Sequence, residues 1–143
     1  MSIDQGTDEL IVLQAPQATV LARQLVEGVG NHQERKATVV LASFRGGYWL
    51  RRFTEEPALG AVRPHDRPTS VDWARLRELL RRPELLDDDR RERGSMGPHL
   101  AVLEIAVSLA AGHPLDLCRV AMQLSGAEWR DVLLRMESAA DFV

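Results

Sequence analysis

ATVVLASFRGGYWLRRFT, residues 37–54, is the stretch on which the fold turns. Thr38 to Phe44 is rich in β-branched and aromatic residues, Tyr48 to Phe53 is similar, and Gly46 and Gly47 stand between the two runs. Such runs across a glycine pair predict a β-hairpin, because glycine enters left-handed turn conformations without steric cost. With the glycines as the loop, Arg45 pairs with Tyr48, Phe44 faces Trp49, Ala42 faces Arg51 and Val40 faces Phe53. Strand alternation then sends Val40, Phe44, Trp49 and Phe53 to the core and Arg52 away from it, on the face that also carries Val39 and Leu41. The Phe44–Trp49 pair is worth about 0.5–1 kcal/mol and sets the register.

Upstream of this stretch, residues 1–9 are small, polar and acidic and read as a flexible N-terminus. Leu10 to Leu13 is an apolar run, plausible as a strand that extends the sheet. Pro16 opens a helix through about Gly28, with Val20, Leu21, Leu25 and Val29 on one stripe. The polar run His32 to Lys36 reads as a surface connection. Downstream, Glu55 to Pro68 holds Pro57, Gly60, Pro64 and Pro68 without periodicity and reads as a long loop. Thr69 and Asp72 then resemble a capping arrangement for a helix that turns Trp73, Leu76, Leu79 and Leu80 inward. Asp87 to Gly97 is a second, charged break.

The last third is helical with clear punctuation. Pro98 starts one helix and Gly112 stops it; Pro114 starts a second that ends near Leu124; Ser125 and Glu128 form a capping box for the third. Leu100 to Ala111 contains only Glu104 and Ser108 as polar residues, so this helix is expected to be the most buried. On the last helix Trp129, Val132, Leu133, Met136 and Ala140 repeat with helical spacing. Together these features predict a single α+β domain over residues 10–143: a small antiparallel sheet built on the 37–54 hairpin, packed against a mainly helical C-terminal half. The length of 143 residues, with 45% hydrophobic and 27% charged, is what one such domain requires.

Composition narrows the function. No apolar run is long enough to span a bilayer, residues 1–9 do not resemble a secretory signal, and a single cysteine excludes an intrachain disulfide; a cytoplasmic location follows. All basic residues but Lys36 are arginine, a bias that a GC-rich bacterial genome produces. The net charge of −3 disfavours nucleic acid. The four histidines, His32, His65, His99 and His113, show no ligand spacing, so neither a metal nor a cofactor is expected. His113 is expected to serve the C-terminal dipole of the helix it follows. Cys118 reads as a buried small hydrophobe rather than a thiol nucleophile. Glu104 reads as a carboxylate that reaches solvent or pairs with an arginine.

Three functional classes remain. The first is a non-catalytic interaction or regulatory module acting as a homodimer, because the three C-terminal helices carry more apolar surface than one small sheet covers; Leu117, Val120, Leu124 and Leu134 are its interface residues. The second is a small enzyme or anion-binding domain gripping its ligand with Arg63, His65, Asp66 and Arg67. The third is a nucleic-acid-binding regulator using Arg45, Arg51 and Arg52. The outline of a helix-turn-helix over residues 117–136 does not rescue the third class, since its second helix offers Arg130 and Arg135 against Glu128, Asp131 and Glu137. The expected result of a mobility-shift assay at nanomolar protein and physiological salt is no complex with duplex DNA.

Overall fold

The computed structural model describes residues 20–26, 31–64, 68, 70–86 and 96–138. Those residues are overwhelmingly helical, and the 37–54 hairpin is absent. Residues 20–26 form helix α1, and α2 spans His32–Ser43. The polar run at 32–36 is not a connection but the first turns of α2. Asn31 starts it: its side-chain oxygen accepts from the backbone N–H of Gln33 at 2.7 Å and of Glu34 at 3.3 Å, the ordinary way to satisfy the free donors of a helix N-terminus. Ala37 to Leu41 then lie buried in succession. A run enclosed on every side looks the same in sequence whether it is strand or helix. Thr38 adapts to the helix by donating its hydroxyl to the Glu34 carbonyl at 2.8 Å.

The glycine pair does make a left-handed turn, but it joins two helices. After Phe44, residues Arg45, Gly46 and Gly47 adopt φ of 47°, 66° and 78°, and the Gly47 N–H closes on the Phe44 carbonyl at 3.0 Å. Helix α3, Tyr48–Glu55, follows. It buries Trp49, Leu50, Arg52 and Phe53, an i, i+1, i+3, i+4 set that only a helix places on one face. Alternation in a strand would have sent Leu50 and Arg52 outward; their exposures are 0% and 3%. The expected core residues Val40, Phe44, Trp49 and Phe53 are indeed buried, in a geometry other than the one that nominated them. Arg52 is tolerated inside because its charge is met. Its Nε donates to Glu56 at 2.7 Å, Nη1 donates to the Leu86 carbonyl and, at 3.4 Å, to the Tyr48 hydroxyl, and its guanidinium lies over the Trp49 ring.

The described part of the expected long loop at 55–68, residues 55–64 and 68, also contains regular structure. Pro57–Leu59 forms a 3-10 turn, and β1, Val62–Arg63, pairs antiparallel with β2, Ser70–Val71, with Val62 opposite Val71. Among the described residues this two-residue pairing is the whole of the sheet. Leu10 to Leu13, the proposed third strand, lies outside the described residues, as do residues 1–9. Helix α4, Trp73–Leu80, is capped by Asp72, whose side chain accepts from the Arg75 N–H at 3.0 Å.

Helix α5, Gly97–Ala111, is the hub. It packs against α2, α4 and α6, and buries His99, Ala101, Val102, Leu103, Ile105, Ala106 and Val107. Gly112 ends it at φ 69°, donating its N–H to the Ser108 carbonyl at 3.0 Å. Helix α6 begins at Leu117 rather than at Pro114, because Asp116 caps it through the Arg119 N–H at 3.2 Å. This later start turns Cys118 to solvent, against the expectation of burial. Helix α7, Gly126–Ser138, opens with the expected capping box: Glu128 N–H donates to Ser125 Oγ at 3.1 Å, and Ser125 N–H donates to Glu128 Oε1 at 3.2 Å. On α1 the inward residues are Ala22, Leu25 and Val26, while Val20 is exposed. The helical assignment of residues 48–55 carries its own test: Leu50→Ala should cost about 2–5 kcal/mol as a core truncation, read from urea midpoints, whereas the hairpin would place Leu50 on the outer face and make the change nearly neutral.

Candidate functional site

Among the described residues, two concave regions involve the C-terminal helices. The first is an apolar groove of about 230 Å³ between α5, the α5–α6 connection, the start of α6, and α7. Ile105 and Leu109 form its floor, Leu115 and Leu117 one wall, and Trp129, Leu133 and Met136 the other; Ser108 is its one polar lining residue. The i, i+4, i+7 spacing of the α7 trio is the amphipathic stripe visible in the sequence, but that stripe faces a groove rather than a filled core. Leu117 and Leu133 stand at its lips, 57% and 43% exposed.

The expected interface residues therefore separate. Leu117 and Leu134 are exposed, whereas Val120 and Leu124 point inward and are buried within the chain. They do not form the common outer face drawn for them, because the later start of α6 rotates Val120 and Leu124 toward α5 and leaves Cys118 and Met122 outside. Trp129, Met136 and Leu115 belong to the groove, though the helical spacing of Trp129 and Met136 reads in sequence like that of any inward stripe. Only the unfilled space between α5 and α7 distinguishes them from core residues, and periodicity carries no record of that space.

The second region, about 290 Å³, lies between the α2–α3 turn and α7 and is lined by Ser43, Phe44, Arg45, Glu128 and Asp131, with Ala127 and Val132. Arg45 donates its Nε–H to Glu128 at 2.9 Å, and its Nη1 lies 3.5 Å from His99 Nε2. His99 is held from the other side by edge-on contacts with Phe44 and Tyr48 at centroid distances of 5.4 and 4.5 Å, and its carbonyl accepts from Trp49 Nε1 at 2.9 Å. Arg45 and Glu128 are 83 residues apart, so their meeting had no local signal. The left-handed backbone at Arg45 costs about 1–2 kcal/mol, and the ion pair to Glu128 helps to hold it. Glu128 thus caps α7 and anchors the α2–α3 turn at once.

The remaining sequence candidates are engaged elsewhere. Arg63 is exposed and paired with Asp72; His65, Asp66 and Arg67 lie outside the described residues, so the Arg63–Arg67 grip is not assembled among the described ones. Arg45, Arg51 and Arg52 do not form an outward basic face, since Arg52 is buried, Arg45 is tied to Glu128, and Arg51 donates to the Arg45 carbonyl at 3.3 Å. Glu104 receives both terminal nitrogens of Arg119, at 2.6 and 3.3 Å, which matches the pairing expected for it. Among the described residues no group of three or more His, Cys, Asp and Glu is placed to hold a metal ion, and no helix is long and apolar enough to cross a membrane. Compared with protein families, curated proteins and solved structures, the chain finds no match.

Burial pushes the Glu128 carboxyl up, but the hydrogen bonds from Arg45 and the Ser125 N–H together outweigh it and leave the group below its usual value. A carboxyl lowered on folding contributes stability above its unfolded value and loses it as pH falls through the folded one. Glu128→Gln should therefore be less stable than the parent at pH 7, with the difference shrinking as the pH is taken below the ordinary carboxylate range. Thermal unfolding across pH 2–7 reads this directly.

Proposed function

We propose that the protein is a non-catalytic interaction module that self-associates through the groove between α5, α6 and α7. The groove itself carries the reading: a concavity lined almost entirely by aliphatic and aromatic side chains with Leu117 and Leu133 exposed at its lips. Its volume falls below the roughly 300–1,000 Å³ of small-molecule sites and suits one or two side chains of a protein. Its lining offers one hydroxyl and no charged or ionisable group, which is poor equipment for acid–base or nucleophilic chemistry.

A second copy is the occupant that the patch favours. A two-fold interface uses the same surface on both partners, so that surface must supply both the hollow and the groups that fill it. Leu117 and Leu133 are lips to their own groove and are exposed enough to enter another. Met122 on α6 and Leu134 on α7 are also exposed, and exposed large apolar side chains favour burial against a partner. A cytoplasmic address belongs to this reading and is supported by the single cysteine, which needs no oxidising compartment.

Light scattering at micromolar concentration is the test. The parent should have about twice the 16.0 kDa of one chain, and Leu117→Glu or Leu133→Glu should return a single-chain mass with an unchanged far-ultraviolet spectrum. Both residues are partly exposed already, so neither change forces a charge into the core. A parent that weighs one chain, or variants that remain dimeric, overturns the proposal.

A further inference from the structure

The outward face of α7 carries a symmetry that one chain does not use. Val132 is buried, and Trp129 and Met136 line the groove, so this side of the helix is turned to the rest of the chain. The arc that points away holds Arg130, Leu133, Leu134 and Glu137, at i, i+3, i+4 and i+7, and all four side chains are exposed. Two leucines thus form the centre of a stripe, with a cation one turn before them and an anion one turn after.

The other charges of α7 are already met within the chain. Asp131 and Arg135, four apart, pair at 3.4 Å along the side of the helix, and Glu128 is held by Arg45 and the Ser125 N–H. Arg130 and Glu137 form no ion pair among the described residues. Seven residues set their backbones about 10 Å apart. The residues three and four positions inward from either one are the same two leucines, so neither charge has an opposite partner on the stripe.

We infer that α7 pairs with α7 of a second copy in antiparallel direction, Leu133 and Leu134 against the same two residues and Arg130 against the partner's Glu137. This rests on the self-association reading and adds to it the element, the direction and the register of the contact. In a two-fold interface, where residue i meets residue j, j also meets i. An axis that passes α7 between Leu133 and Leu134 brings residues equally far from that point opposite each other. Arg130 and Glu137 are such residues, so one register supplies two ion pairs at once. Parallel pairing of the same faces sets arginine against arginine and glutamate against glutamate, which repels at both ends. Charges that flank an apolar centre in this way fix orientation and register more than they add affinity. Leu133 is also a lip of the groove, so the helix face and the groove belong to one continuous surface.

Charge reversal is the test, with the dimer dissociation constant read by sedimentation over a dilution series at low ionic strength. By symmetry each single change alters both contacts. Arg130→Glu opposes carboxylates and Glu137→Arg opposes guanidiniums, and each should weaken the dimer by about fivefold or more, with the deficit shrinking as salt is added. The double variant, both changes on one chain, reinstates opposite charges and should dimerise within about twofold of the parent. Both positions are exposed, so an unchanged far-ultraviolet spectrum and unfolding midpoint at low concentration accompany each variant. Single variants as tight as the parent, or a double variant as weak as the singles, overturn the antiparallel register and leave a dimeric parent and its groove standing. A parent that weighs one chain at every concentration overturns both.

Discussion

The fold depends on enclosing one helix. Gly97–Ala111 carries two polar side chains after His99, Glu104 and Ser108, and they lie on one narrow stripe, so nearly its whole circumference must leave water. Each buried aliphatic side chain is worth about 1.5–3 kcal/mol, and a helix apolar on every side collects that only if neighbours arrive from several directions. α2, α4 and α6 are those neighbours. A two-stranded hairpin in place of α2 and α3 would offer α5 one flat face. The helical pair instead offers the enclosed run Ala37 to Leu41, then bends back at Arg45–Gly47 to add Trp49, Leu50 and Phe53 to the same interior.

Polar groups mark the points where these layers are joined. Trp49 reaches the His99 carbonyl near the start of α5, Arg52 ties α3 to the turn at Pro83–Leu86, and Arg45 ties the left-handed turn to α7. All three come from the 37–54 stretch that local patterning assigned to a sheet. Arg45 and Arg52 are engaged by the architecture, and Arg51 donates to the Arg45 carbonyl, which is why these three arginines do not make an outward basic face.

The groove beside α5 follows from the same economy of helices. α2, α4 and α6 close most of the hub, but between α5 and α7 the floor of Ile105 and Leu109 remains open to solvent-facing leucines. The proposed dimer would close that last side with the chain's own surface. The proposal of self-association and the enclosure of α5 thus rest on one demand, that an apolar helix not be left wet.

Much of the helical punctuation was determined by sequence alone, since caps are local chemistry. The Ser125–Glu128 box and the Gly112 stop lie where residue types a few positions apart placed them, and the burial of Val40, Phe44, Trp49 and Phe53 followed from their apolarity, whereas the cap of α4 is Asp72 itself rather than a Thr69–Asp72 arrangement. Whether residues 37–54 were strand or helix was decided only by tertiary structure. β-branched residues cost a helix a few tenths of a kcal/mol each, less than the gain from enclosing them against α5, and the Asn31 cap that starts α2 lies upstream of the apolar run. The groove, the Arg45–Glu128 pair and the Arg119–Glu104 pair were likewise decided in three dimensions. Each joins residues far apart in the chain, and long-range contacts of that kind leave no periodicity to read.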